Sequence, residues 1–119
     1  MARSINRNFQ FVGTSKDVRS GHLWYPAADV YQTPEGWVVK VELAGVSAED
    51  TEIDIQGNVL VIAGCRKDKS CAAGVSYQQM EITYSNFEKT LTMPSNIDRA
   101  HVEHQFENGL LIISLKKSK

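Results

Sequence analysis

Cysteine is scarce in this sequence: Cys65 and Cys71 are the only two in 119 residues, too few for the disulfide framework that staples small secreted domains. Charge of one sign is lacking as well. Against 14 acidic residues stand 13 basic ones, a formal charge of −1, so no global field draws the molecule toward nucleic acid or an anionic membrane. Long apolar runs are missing too. At the N-terminus Arg3, Asn6, Arg7, Asn8 and Gln10 interrupt the few apolar residues before a signal or membrane-spanning length is reached. These absences lead to the expectation of a cytoplasmic protein with neither nucleic-acid nor membrane partners.

Recognisable catalytic machinery is also missing. The sequence contains no GxxxxGK[ST] phosphate loop and no HExxH zinc helix. His101 and His104 stand three apart in a predicted strand, where side chains alternate, so they are expected on opposite faces and make a poor metal pair. Cys65 and Cys71 flank Arg66, Lys67 and Lys69, cations that lower a thiol pKa when they face it. A redox pair and two inert thiols both fit that spacing. The expectation is a chain with no catalytic residue, no cofactor and no metal.

What the sequence does contain is short β-rich runs separated by turn chemistry. Ala28 to Gln32 is a first strand, ended by Thr33, Pro34, Glu35 and Gly36. In WVVKVELA, Trp37, Val39, Val41 and Leu43 fall on one face and Lys40 and Glu42 on the other, the period-two pattern of a half-buried strand. TEIDIQ alternates Ile53 and Ile55 with Glu52, Asp54 and Gln56, and Gly57 with Asn58 supplies a two-residue hairpin turn into the apolar run VLVIA. Residues 66–74 are charged, small and flexible. Beyond them come VSYQQMEI, NFEKTLTM ended by Pro94, and HVEHQFE joined to LLIISL through Asn108 and Gly109. No run of helical period competes. The pattern predicts an all-β, immunoglobulin-like antiparallel sandwich of seven to nine strands over 25–117. Residues 1–24 read as a short mobile arm, either a frayed terminus or a short amphipathic turn, with 118–119 as a residual tail.

Four segments, in order, resemble the small heat-shock protein family and its α-crystallin domain. They are PAADVYQTPEGWVVKVELAGVSAED, with Ala44 in place of the family's proline, then GNVLVIAGCRK, YSNFEKTLTMP and AHVEHQFENGLLIISL. The resemblance implies an ATP-independent holdase chaperone that binds unfolding client proteins and prevents their aggregation. It further implies a homodimer, extending to larger oligomers, in which the exchange strand Val75, Tyr77, Gln79, Met80 and Ile82 adds to the partner's acceptor strand Ala28, Val30 and Gln32. An ordinary intrachain hairpin is the alternative for that segment. Client contacts are expected in a groove between TEIDIQ and HVEHQFE, exposing Ile53, Ile55, Val102 and Phe106, and along the arm through Ile5, Phe9, Phe11, Leu23 and Trp24.

Three departures from the family pattern shape the expectation. Only four residues follow Leu115, with no Ile-x-Ile motif of the kind that bridges family dimers, so the expected assembly is a dimer or small oligomer. Lys89 stands where the family has arginine, which loosens any carboxylate contact made there. Ile82 replaces a charged residue. Two other readings share the sandwich: a CS-domain-like co-chaperone adaptor, monomeric and without the exchange segment, and a dimeric subunit that acts after co-assembly with a longer paralogue.

Overall fold

The computed structural model describes residues 23–70 and 72–117. Seven strands form two antiparallel sheets: β1 (Ala28–Thr33), β2 (Gly36–Glu42), β3 (Thr51–Gln56), β4 (Val59–Cys65), β5 (Asn86–Thr92), β6 (His101–Glu107) and β7 (Leu110–Lys116). The larger sheet has the order β1-β2-β7-β6 and the smaller β3-β4-β5. A 3-10 turn, Ala48–Asp50, lies on the crossing from one sheet to the other. Among the described residues no helix is long and apolar enough to cross a membrane.

The core follows from the alternation. Cross-strand rows place Val39 beside Ile113 and Val41 beside Leu111 in the larger sheet, and Ile53 beside Ile62 and Ile55 beside Leu60 in the smaller. All eight are buried, together with Leu43, Phe87, Met93, Ile97, Val102 and Leu115. Fully burying one such side chain is worth about 1.5–3 kcal/mol before conformational entropy is counted against it. On β7 Leu110 and Ile112 are only half-buried, on the outer face. Among the described residues no third layer covers that face.

Of the three two-residue hairpins among the described residues, the two that turn at the glycine-containing pairs Gly57-Asn58 and Asn108-Gly109 have different backbones. Asn108 and Gly109 both adopt positive φ, 54° and 81°, the pattern of a type I′ turn. At the other hairpin Gly57 alone does so, with φ 65°, as in a type II′ turn. The backbone of Gly57 and Asn58 is laced to the β5–β6 connection: Ile97 N donates to Gly57 O (2.9 Å), Met93 N donates to Asn58 O (2.7 Å) and Gly57 N donates to Asp98 Oδ1 (2.9 Å).

One predicted strand is missing from the chain as a single copy. Residues 75–82 carry no regular secondary structure, and neither a strand nor an intrachain hairpin forms there. A strand exists only through a ladder, and here the segment pairs with no neighbouring strand among the described residues. The connection between β4 and β5 is accordingly a long loop.

Candidate functional site

The β4–β5 loop leaves the sandwich through an anchored base. Arg66 follows β4 directly, and its backbone N donates to Ser85 O at 3.0 Å. Its Nε donates to Thr83 O at 2.9 Å, and its Nη1 donates to Ala44 O at 3.1 Å. The guanidinium carbon also lies 3.9 Å from the centre of the Trp24 ring, a cation–π contact. Trp24 in turn meets Phe87 edge to face, ring centres 5.7 Å apart, and forms a parallel bridge with it, Trp24 N donating to Asn86 O and Glu88 N to Trp24 O. Of the arm residues expected to contact partners, Trp24 is therefore packed on the sandwich and Leu23 is exposed. Ile5, Phe9 and Phe11 lie outside the described residues.

A second anchor is Asp50. Its two carboxylate oxygens meet Lys67 Nζ at 3.3 Å and Lys69 Nζ at 3.0 Å, and Ser47 Oγ donates to Oδ2 at 2.9 Å. Burial pushes the Asp50 carboxyl up. Hydrogen bonds from Lys69, Ser47 and Lys67, with the attraction of Lys67, outweigh it and hold the group below its ordinary value. The loop's cations thus face Trp24, backbone carbonyls and Asp50. Cys65 is a buried residue at the end of β4, and Cys71 lies outside the described residues. The sequence offers no sign of either anchor, because Trp24, Ala44, Asp50 and Arg66 are brought together only by the fold.

Beyond the anchors the loop presents apolar side chains to solvent. Val75, Tyr77, Met80 and Ile82 are 46–57% exposed, and Gln79 is exposed among them. Tyr77 donates to the Asp68 carboxylate, which holds that part of the loop. On the sandwich, β1 is an edge of the larger sheet. Val30 and Gln32 on it are exposed and Ala28 is half-buried. Tyr31 is exposed as well, with Lys40 Nζ lying 5.4 Å from its ring centre.

The expected groove needs correction. Ile55 and Val102 are fully buried and Ile53 nearly so. Their alternation points them between the sheets, so Ile55 and Val102 belong to the core instead of an exposed surface. What opens between the edge strands β3 and β6 is a cleft of about 200 Å³ lined by Ala48, Thr51, Glu52, Ile53, His104, Phe106 and Leu111. Phe106 is its half-buried aromatic rim. His104 lines this cleft, whereas His101 meets Glu103 Oε2 at 3.2 Å, so the two histidines do lie on opposite faces.

The sequence model described as the Hsp20/alpha crystallin family matches residues 29–119. Small heat shock protein C2 of Rickettsia felis is 32% identical over 94 residues, 79% of this chain and 61% of that protein. The 22.7 kDa class IV heat shock protein of Pisum sativum is 32% identical over 106 residues, 88% of this chain and 54% of that one. The chain thus spans somewhat more than half the length of these curated relatives. Among solved structures, heat shock protein 16.0 from Schizosaccharomyces pombe superposes with a TM-score of 0.71 at 30% identity, covering 79% of this chain and 87% of that one. With the two-sheet topology, the anchored β4–β5 loop and the cleft at the sheet edges, these matches place the chain in the Hsp20/alpha crystallin family of small heat shock proteins.

Proposed function

We propose that this protein is an ATP-independent holdase of the cytoplasm, acting without catalytic residue, cofactor or metal, which binds unfolding proteins and prevents their aggregation. The observation that carries the reading is the β4–β5 loop: Val75, Tyr77, Met80 and Ile82 stand exposed on a segment without secondary structure, in a chain whose β1 is an edge strand of the larger sheet among the described residues. Unpaired edge groups and exposed apolar side chains are liabilities unless a second chain covers them. In the homodimer, residues 75–82 extend along the partner's β1, and the exchange satisfies both edges by two-fold symmetry. The β3–β6 cleft, with Ile53 and Phe106, then remains for clients, joined by the arm through Ile5, Phe9, Phe11 and Leu23. Trp24 serves as the arm's fixed point.

The test is thermal aggregation of a model client with and without the protein, in the absence of ATP, beside light-scattering mass of the protein alone. Suppression by a dimer or small oligomer supports the holdase. A well-folded dimer without suppression points to a subunit that acts after co-assembly with a paralogue, and a monomer points to the adaptor.

A further inference from the structure

A second cleft, of about 460 Å³, opens where the β5–β6 connection passes over the start of β2 and the end of β7. It shares no lining residue with the β3–β6 cleft. Trp37, Ile97, Ala100 and Leu115 give it an apolar floor, while Ser95, Asn96, Arg99 and Lys117 form its polar border. This combination of apolar surface with a few convergent polar groups is how ligand sites are built.

The electrostatics of the border are one-sided. Neither Arg99 nor Lys117 forms an ion pair among the described residues. The carboxylates nearest in sequence are occupied elsewhere: Asp98 Oδ1 accepts the Gly57 N–H at 2.9 Å, and Glu103 meets His101 at 3.2 Å and Lys116 at 3.6 Å. Glu35 takes the Lys117 N–H through its backbone oxygen, and its side chain is not part of the lining. The cleft is also pre-formed. Ala100 N donates to Ile97 O (3.1 Å), Asp98 N to Asn96 Oδ1 (2.8 Å) and Asn58 Nδ2 to Met93 O (3.0 Å), so the connection is braced before any ligand arrives, which lowers the ordering cost of binding.

We propose that this cleft binds extended peptide segments in which a large apolar side chain is followed by a carboxylate. The apolar side chain lies against the partly buried Trp37 and Ala100, which the core residues Ile97 and Leu115 back, the carboxylate is taken by Arg99 and Lys117, and Ser95 and Asn96 hydrogen-bond the peptide backbone. Charge complementarity selects the acidic partner, because charge-assisted hydrogen bonds are the strong ones and Arg99 and Lys117 have no ion pair among the described residues. The inference goes beyond the holdase reading, which needs neither this cleft nor an acidic ligand.

The experiment uses the full chain with Trp24→Phe, leaving Trp37 as the sole indole, since Trp24 and Trp37 are the only two. Its emission is followed on titration with three capped hexapeptides alternating Leu with Glu, Gln or Lys, and calorimetric titration of the unsubstituted chain repeats the ranking without relying on that variant. Expected is a saturable shift of Trp37 emission with the Leu-Glu peptide, binding about tenfold tighter than the Leu-Gln peptide, a preference abolished in Arg99→Gln/Lys117→Gln and weakened by salt. Equal affinity for the Leu-Gln peptide, tighter binding of the Leu-Lys peptide, an unchanged preference in the double variant, or no saturable binding each overturns the proposal. Aggregation suppression by the double variant, measured separately, keeps this outcome distinct from that of the holdase reading.

Discussion

At Gly64 a single added methyl group has nowhere to go: a Cβ there would stand 2.0 Å from the Asp50 carbonyl oxygen and 2.7 Å from Phe87 Cζ. The constraint is close approach, since Gly64 is not among the glycines with positive φ. Gly64→Ala should therefore behave as an overpacked core, losing about 1–3 kcal/mol, with the melting temperature falling by roughly 4–8 °C per kcal/mol in scanning calorimetry. Asp50, whose backbone makes that contact, sets a second expectation through its side chain. Its pKa is held below the ordinary value despite burial, so the carboxylate contributes stability above the ordinary carboxylate range, near pH 4. That contribution is lost as pH falls through the lowered folded value. The difference in denaturation midpoint between the native protein and Asp50→Asn should be full at neutral pH and shrink on acidification. A pH-independent difference would leave the lysine contacts without energetic weight. Such residue-level relations are the least legible in a sequence. Arg66 reads there as a neighbour of Cys65, and only the fold turns it toward Trp24, Ala44 and Thr83.

At the scale of elements the sequence is far more legible. β3, TEIDIQ, has the bounds that alternation and flanking turns imply, and β1, β6 and β7 differ from the reading by no more than a residue at either end. The same alternation that located TEIDIQ and HVEHQFE also determined which way their side chains point. Placing Ile55 and Val102 on an exposed groove therefore conflicted with the periodicity that defined the strands. VSYQQMEI differs for another reason: its residues favour a strand, but a strand's hydrogen bonds must come from elsewhere, and no strand among the described residues pairs with it. Replacing residues 70–82 with a short Gly-Ser connection should leave both sheets intact, because β4 and β5 pair directly along Val59–Cys65 and Asn86–Thr92. The expected result is an unchanged β-type circular dichroism spectrum with the mass of a monomer. Retention of dimer mass would remove the loop from the interface.

For the whole molecule, the proposed dimer contact and the proposed client contact occupy different strands, β1 with the β4–β5 loop on one side and β3 with β6 on the other. Assembly and capture should therefore be separable. Phe106→Ala removes the aromatic rim of the β3–β6 cleft, and reduced suppression of client aggregation at unchanged light-scattering mass is expected. If mass and suppression fall together, the two surfaces are coupled and the separation fails.

The order β1-β2-β7-β6 places β7, the last of the seven described strands, inside the larger sheet. Until residues 110–116 have left the ribosome, β2 lacks its inner neighbour and β6 lacks its one neighbour among the described strands, so the described Val39, Val41 and Val102 have no companion strand between them. The smaller sheet, by contrast, is closed by residue 92. During synthesis the molecule consequently passes through an interval with one sheet paired and the other open, itself exposing the kind of surface that aggregates. A small heat shock protein of this topology passes, during its own translation, through the condition from which it is proposed to protect other chains.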